Sequence, residues 1–294
     1  MDQGPLSRRL LEEFDRLSPQ MRQAARFVIE HPDDVALLTM REQARRAGVL
    51  PATMTRLAQR LGLDGFDAVR ELYAAAIRAG DLGFSGRAGR QIAEQREKGL
   101  RGLADAQLAA AGDDLAALRE PAALELLEAA AELLAAAPRL YCLGLRASFP
   151  PAWTAAYLLG LIDDRTILLD DGAALLADRT RGAREGDALL TFGFAPYSRA
   201  TVEEARRLAD RGVAVVAVTD SPLSPLARLA RVVVRVGGGQ SPSFFRSFAA
   251  DFAVAEVLAA LIAGKRGDAA AAALAETENH LAASRVHWVE REPS

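Results

Sequence analysis

The sequence predicts an α/β protein with two parts: an all-α helix-turn-helix N-terminal domain, followed by a doubly wound parallel-sheet domain. Apolar residues recur at intervals of three and four through residues 6–78, which is typical of amphipathic helices. After residue 139, short apolar runs alternate with helix-length segments, a pattern that indicates βαβ units. A glycine-bearing stretch at 79–100 separates the two patterns.

Length and composition favour a globular protein of about two domains. The chain has 294 residues, of which 50% are hydrophobic and 26% charged, so it can bury ordinary cores. Its one cysteine, Cys142, lies in an apolar run, which predicts a buried, inert thiol and excludes a disulfide framework. The start of the chain is polar and no apolar run nears the roughly 18 residues of a membrane span, so we expect a cytoplasmic protein.

The N-terminal domain is assigned to residues 1–78. Within it, two short helices at 39–47 and 51–61 surround a tight turn at Gly48, the arrangement of a helix-turn-helix. A further helix is expected at about 66–77, and the domain has no strand pattern.

Residues 79–137 are predicted to connect the two domains. The first part, 79–100, has the composition of a linker or loosely packed connector. The second part, 101–137, is Ala- and Leu-rich and predicts helix broken at Pro121, with a surface that can pack against a partner chain.

The second domain is assigned to residues 138–266 and a helical tail to 267–294. Five buried strands are expected at 140–143, 166–169, 188–192, 213–218 and 232–236. Helices are expected between them and beyond the last, at about 148–161, 172–181, 198–211, 224–230 and 243–264.

The second helix of the helix-turn-helix carries side chains suited to DNA. In such folds this helix lies in the major groove, with its early side chains at base edges. The net charge of −3 gives no overall attraction to nucleic acid, but residues 41–60 hold five arginines against one glutamate, a local charge of +4. The alternative is a protein-interaction module with solvated arginines. The residues predicted to contact DNA are Arg45, Arg46, Thr53, Thr55, Arg56, Gln59 and Arg60.

Three motifs within residues 18–77 carry a family resemblance: Ala44–Val49, Pro51–Arg56 and Leu61–Phe66. They resemble the N-terminal domain of RpiR-type transcription regulators, which join a helix-turn-helix to a sugar isomerase (SIS) domain. The resemblance implies double-stranded operator DNA, a small-molecule effector and a homodimer or homotetramer. The chain departs from it at Leu50, where the family usually has an N-capping serine.

Loops that follow parallel strands are the expected place for the effector. The first, Gly144–Ser148, resembles the Gly-x-x-x-Ser loop of the family, so Ser148 is predicted to face the ligand, to cap the next helix, or both. The second loop, 191–201, is rich in serine and threonine in the wider family. Here Phe192, Gly193 and Phe194 offer no hydroxyls, so the effector is a sugar phosphate or another metabolite with an acidic or apolar part.

The side chains left in the second loop are Tyr197, Ser198, Arg199 and Thr201, with Arg199 either an anion partner or an exposed first-turn residue. A glycine-rich loop from Gly237 could close over a ligand and adds Ser243 and, more weakly, Ser247 as candidates.

The rival hypothesis is an enzyme, either an aldose-ketose isomerase acting on a sugar phosphate or a lyase, because SIS domains also occur in enzymes. Proton transfer needs a positioned base, and the three histidines lie outside the expected sheet. Glu203, Glu204 and Glu256 remain, each within a helical stretch. The sequence has no nucleophile elbow, phosphate loop or metal-spaced cluster, so we predict a non-enzymatic sensor with no cofactor. A pure scaffold or dimerisation module is a third possibility.

Overall fold

The computed structural model describes residues 5–78, 83–170, 172, 175–237, 243 and 245–288. It has two compact units. Unit 1 is Met1–Ala110 with Gln240–Arg246, and unit 2 is Ala111–Gly239 with Ser247–Ser294. The domain borders derived from the sequence stay predictions.

Unit 1 is helical, as expected. Gln43 is fully buried, and its side-chain amide donates to the carbonyls of Val35 and Leu38, which joins the first helix of the helix-turn-helix to the segment before it. Tyr73 and Met54 are fully buried in the core. The helices are α1 (Ser7–Glu13), α2 (Pro19–Glu30), α3 (Pro32–Leu37), α4 (Met40–Ala47), α5 (Pro51–Arg60) and α6 (Phe66–Arg78), with a 3-10 turn at Phe14–Arg16.

The turn between α4 and α5 requires its glycine. Gly48 has a φ of +66°, a left-handed conformation that side-chain-bearing residues rarely adopt. The amide of Val49 returns to the carbonyl of Ala44, which closes the end of α4. At the start of α4, the Thr39 hydroxyl accepts from the amide of Glu42. The two short helices expected on either side of the turn at Gly48 are therefore present.

The described part of the predicted linker at 79–100 is largely helix, and its role as a connector stays a prediction. Helix α7 runs from Gly83 to Ala117, interrupted only at Gly99, whose φ of 71° and ψ of 178° are not helical. The run between Gly89 and Gly99 is mostly arginine, glutamine, glutamate and lysine, and these good helix formers offset the roughly 1 kcal/mol that each glycine costs. Helix α8 (Pro121–Ala136) then begins at the predicted break.

Unit 2 contains a five-stranded parallel sheet in the order β2-β1-β3-β4-β5. All five predicted strands are present, with borders within one residue. This confirms the predicted α/β fold with a doubly wound parallel sheet. The strands are β1 (Leu140–Leu143), β2 (Thr166–Leu169), β3 (Ala188–Gly193), β4 (Ala214–Thr219) and β5 (Val232–Arg235).

Helices cover both faces of the sheet. Leu140 and Cys142 point to the face covered by α8, α9 (Phe149–Gly160) and α12 (Ala249–Arg266). Tyr141 and Leu143 point to the other face, where α10 (Leu176–Arg179) and α11 (Arg199–Ala209) pack. Complete burial raises the pKa of the Cys142 thiol to about 12. The expectation of a buried thiol is confirmed.

Three predicted helices differ in the structure, and the one expected at about 172–181 is only the four-residue α10. Segment 224–230 forms turns rather than a helix: the Ser224 hydroxyl accepts from the amide of Ala227, and β5 follows too soon for a second turn. The last long helix begins at Ala249 instead of 243, because Ser247 accepts from the amide of Ala249 just before that start. The tail forms α13 (Asp268–Ala283), and residues 289–294 lie outside the described residues.

Candidate functional site

The strand order reverses between β1 and β3. From β1 the chain crosses through α9 to β2 on one side, and from β3 it crosses through α11 to β4 on the other side. In open parallel sheets the connections diverge at such a point and leave a crevice where ligands bind. The two loops predicted to bind the effector, at 144–148 and 191–201, begin at the ends of these two adjacent strands.

The first loop is tightly folded around Gly144. A Cβ atom at this position would lie 2.3 Å from the carbonyl oxygen of Ser148 and 3.0 Å from the Cβ of Ala152. Ser148 is only 7% exposed and stands at the N-cap position of α9, but its side chain makes no capping hydrogen bond. Its hydroxyl is therefore not committed to the helix, and its effector role stays a prediction.

Arg146 in the same loop was missed by the sequence analysis. Its φ of 57° is unusual for a residue other than glycine, and its side chain is exposed beside the switch point. It makes no hydrogen bond or ion pair with any residue that the structure describes. The signal available in the sequence was an arginine inside a Gly-x-x-x-Ser loop.

Asp220, the first residue after β4, fastens the second loop. Its Oδ2 accepts from the amide of Ala195 at 3.1 Å, and its Oδ1 accepts from the Tyr197 hydroxyl at 2.7 Å. Ser198 is the N-cap of α11, where its hydroxyl accepts from the amide of Thr201 at 3.4 Å. Tyr197 and Ser198 thus have structural partners, and Asp220 is a second residue that the sequence analysis missed.

The first turn of α11 holds the other two predicted residues of this loop. Thr201 is 2% exposed, and its buried hydroxyl has no hydrogen-bond partner among the described residues. The side chain of Arg199 is 88% exposed, and its Nε lies 2.6 Å from Oε1 of Glu203. This hydrogen bond raises the pKa of Arg199. Thr201 is thus a polar group enclosed near the start of the helix, and Arg199 is a solvent-facing one.

The two phenylalanines of the loop belong to the core. Phe192 is fully buried and Phe194 is 7% exposed, both on the face of the sheet that carries α8, α9 and α12. A Cβ on Gly193 would lie 2.3 Å from Cδ1 of Leu226. These positions fill space around the loop.

Ser243 lies in unit 1, and its predicted effector role stays a prediction. Its hydroxyl donates to Oε1 of Gln91 in α7 at 3.2 Å and accepts from the amide of Phe245 at 3.1 Å. Of the loop predicted to close over a ligand, residues 238–242 lie outside the described residues.

Helix α5 presents only part of the predicted DNA-binding set to solvent. Arg56 and Gln59 are exposed, and Thr53 is partly exposed. The Thr55 hydroxyl instead donates to the carbonyl of Pro51 at 3.5 Å and contacts Sδ of Met40 in α4 at 3.6 Å.

Three of the predicted arginines are ion-paired. Arg45 and Arg46 both hydrogen-bond Glu42, at 2.6 Å and 3.1 Å, and these bonds lower the pKa of Glu42 to about 2. Arg46 also lies 2.8 Å from Asp34, and the Arg60 guanidinium lies 3.0 Å from the carboxylate of Glu13 in α1. These carboxylates reduce the local positive charge. Arg41 and Arg56 are exposed and have no acidic partner within the described chain.

The glutamates considered as catalytic bases are engaged or on the surface. Glu204 is 1% exposed, and it accepts from the Thr180 hydroxyl at 2.6 Å and from Arg207. Glu203 is paired with Arg199, and Glu256 is exposed on α12. Among the described residues there is no cluster of metal-ligating side chains and no helix long and apolar enough to cross a membrane.

Residues 133–261 match the family model of the SIS domain. This part of the chain is therefore similar to SIS domains. Its match covers the whole sheet and both switch-point loops. A comparison with curated proteins found no match.

The solved structures that are similar to this chain include the following two. The sugar isomerase domain of an RpiR transcription factor from Sphaerobacter thermophilus is 28% identical, with a TM-score of 0.52 over 59% of this chain and 96% of that one. The NanR protein of Vibrio vulnificus, solved in complex with ManNAc-6P, is 21% identical, with a TM-score of 0.55 over 94% of this chain and 98% of that one. The first likeness, together with the SIS match, confirms the resemblance to RpiR-type regulators, and the second shows a shared fold.

Proposed function

We propose that this chain is an RpiR-type transcription regulator whose helix-turn-helix binds double-stranded operator DNA and whose SIS domain binds a small-molecule effector. The observation that carries the proposal is the presence of both parts in one chain: α4 and α5 around Gly48, and a SIS sheet with two loops at its switch point. We further propose that the protein acts in the cytoplasm.

The DNA-binding surface in this proposal is the exposed side of α5. Arg56 and Gln59 supply donors for base edges, and Thr53 lies beside them on the same side of the helix. Arg45, Arg46 and Arg60 would exchange their carboxylate partners for phosphates on binding, which an exposed ion pair permits at little cost. Thr55 is the weakest member of the set, since its hydroxyl faces α4.

The effector site in this proposal is the crevice between the loops after β1 and β3. Ser148 and Thr201 provide enclosed hydroxyls, and Arg146 provides an exposed cation at the same edge of the sheet. Tyr197 and Ser198 hold the shape of the second loop through Asp220 and the start of α11. These donors suit an acidic metabolite, and a sugar phosphate such as the ligand of the NanR complex is one member of that class.

A sensor fits these residues better than an enzyme. An isomerase needs a base whose carboxylate or imidazole can reach substrate. Glu204 is held by Thr180 and Arg207, and Glu203 by Arg199. Incubation of the protein with a panel of sugar phosphates tests this point: no isomerised product is expected, and turnover at an enzymatic rate would favour the enzyme.

A second copy of the chain is the proposed partner of the α8–α12 face. Helix α12 buries one side on the sheet, yet its outer side is also apolar, with Val257 and Leu261 each 38% exposed. With Leu124 of α8 they line a groove of about 500 Å³ that carries Glu128 and Lys265. An exposed apolar patch of this kind marks an interaction surface, and a twofold axis would place it against the same patch of a second copy. Lys265 at its border is paired with Glu132 within the chain at 2.9 Å.

Light scattering tests the dimer. Leu261→Asp should shift the protein toward monomer, whereas Leu175→Asp, 46% exposed before α10, should leave the mass unchanged. Equal masses for the wild type and Leu261→Asp would remove this face from the assembly.

Effector binding is proposed to regulate DNA affinity by shifting the population of dimer geometries. Because dimeric helix-turn-helix proteins read half-sites about one helical turn apart, a small change in the spacing of two heads alters specific affinity.

The double variant Arg56→Ala/Arg60→Ala tests the division of labour between the two parts. Operator binding should be lost while effector binding is kept, and Arg70→Ala on α6 serves as a control that keeps both. Loss of effector binding in the double variant would contradict the assignment of the two sites to separate units.

A further inference from the structure

The start of helix α5 is apolar and exposed. Leu50 is 72% exposed, and the next two residues, Pro51 and Ala52, are exposed as well. Leu50 occupies the N-cap position of α5, but a leucine side chain cannot accept the hydrogen bonds of the first helical amides, and none is made. The residue therefore contributes neither a cap nor a core contact in unit 1.

Two exposed arginines on α4 and α5 suit a nucleic acid better than an apolar protein surface. Arg41 at the start of α4 and Arg56 one turn into α5 are exposed and have no acidic partner within the described residues. The first turn of α5 has no acidic residue. A protein partner would have to bury these cations, whereas DNA phosphates would pair with them.

The position of Leu50 in the helix-turn-helix restricts what it can touch on DNA. Side chains at the start of the second helix approach base edges in the major groove. The base edges in the major groove present hydrogen-bond donors and acceptors, and the apolar group among them that side chains such as leucine can contact is the C5-methyl group of thymine.

We propose that Leu50 packs against the C5-methyl group of a thymine and so sets a thymine preference at one position of each half-site. This inference rests on the DNA-binding function proposed above. It assigns the apolar start of α5 a role in specificity that hydrogen-bonding residues such as Arg56 and Gln59 cannot perform.

The test uses the full-length protein and duplexes selected from a random-sequence pool. Each thymine of the selected site is replaced in turn by deoxyuridine, which keeps base pairing and removes only the methyl group. At one position in each half-site, replacement should weaken binding about fourfold, the change expected for burial of one methyl group. The matched variants are Leu50→Ser and Leu72→Ser, the latter a leucine 38% exposed on α6.

In Leu50→Ser the difference between thymine and deoxyuridine should vanish, and in Leu72→Ser it should remain fourfold. Because the readout is a ratio for one protein on two duplexes, any general change in affinity cancels. Specific binding without sensitivity to the methyl group, or sensitivity that persists in Leu50→Ser, would overturn the inference and leave the regulator intact. Failure to select any duplex would overturn the DNA-binding function and this inference with it.

Discussion

The carboxylate of Asp220 accepts a hydrogen bond from the hydroxyl of Tyr197 at 2.7 Å. The same carboxylate holds the amide of Ala195, so the end of β4 fastens the loop that follows β3. This bond links neighbouring strands at the edge of the sheet where the effector is proposed to bind. Asp220 thus helps to fix the shape of the candidate site, although it follows β4, which does not border the switch point.

Tyr197→Phe removes one bond to this carboxylate. Because hydrogen bonds to charged groups contribute about 1.5–3 kcal/mol, the free energy of unfolding should fall by an amount in that range, as measured by urea denaturation. Tyr157→Phe is the control, since Tyr157 is 52% exposed on α9 and stacks on Trp153. Equal stability of Tyr197→Phe and the wild type would mean that the bond does not hold the loop.

Gly144→Ala would place a methyl group only 2.3 Å from the carbonyl oxygen of Ser148. Overpacking of this kind costs about 1–3 kcal/mol, and the shifted loop should also weaken effector binding. Gly160→Ala, with open space around its Cβ at the end of α9, should be neutral or slightly stabilising. A melting temperature for Gly144→Ala as high as that for Gly160→Ala would contradict the close packing of the loop.

Glu42→Gln should make unit 1 less sensitive to acid. The bonds from Arg45 and Arg46 lower the pKa of Glu42 from 4.5 to about 2. A carboxylate whose pKa is lower in the folded state than in the unfolded state stabilises the fold at pH values above the unfolded-state pKa. That contribution is lost as the pH falls from about 4.5 toward 2. Urea midpoints on either side of this window, with Glu71→Gln as the control, measure the difference. An acid dependence identical in Glu42→Gln and the wild type would contradict the ion-pair cluster.

Leu50→Ser should stabilise the helix-turn-helix. The backbone at Leu50 is extended, with φ −74° and ψ 146°, a conformation typical of an N-cap residue. A serine hydroxyl there could accept from the early amides of α5, which contributes about 0.5–2 kcal/mol. Thermal unfolding of Leu50→Ser, with Leu72→Ser as the control variant, checks this expectation. If Leu50→Ser is destabilised, the exposed leucine has a packing role that its 72% exposure does not reveal.

The fold could be predicted closely because its signals are local. Buried strands such as β4 are continuous apolar runs, and Gly48 marks a turn that needs a left-handed residue. The helical structure of α7 was harder to predict, because its local signals conflict. Its glycines suggest a linker, but the polar residues between Gly89 and Gly99 favour helix.

The candidate site could be predicted only in part. The Glu42 pairs with Arg45 and Arg46 follow from helical spacings of three and four, so the partial neutralisation of the arginine cluster was readable from the sequence. The bond between Arg60 and Glu13 joins residues that are 47 positions apart in sequence. The hydrogen bond between Tyr197 and Asp220 joins residues that are 23 positions apart. Contacts at such separations depend on the tertiary fold, which local patterns do not specify.

The most direct test of the regulator is binding of the purified protein to its own upstream DNA in rising salt, with and without a panel of metabolites. We expect sequence-specific binding whose affinity falls linearly with salt concentration on a log–log plot, as phosphate contacts require. One acidic compound of the panel should change this affinity. Absence of specific DNA binding, together with turnover of a sugar phosphate, would contradict the proposed function and favour an isomerase.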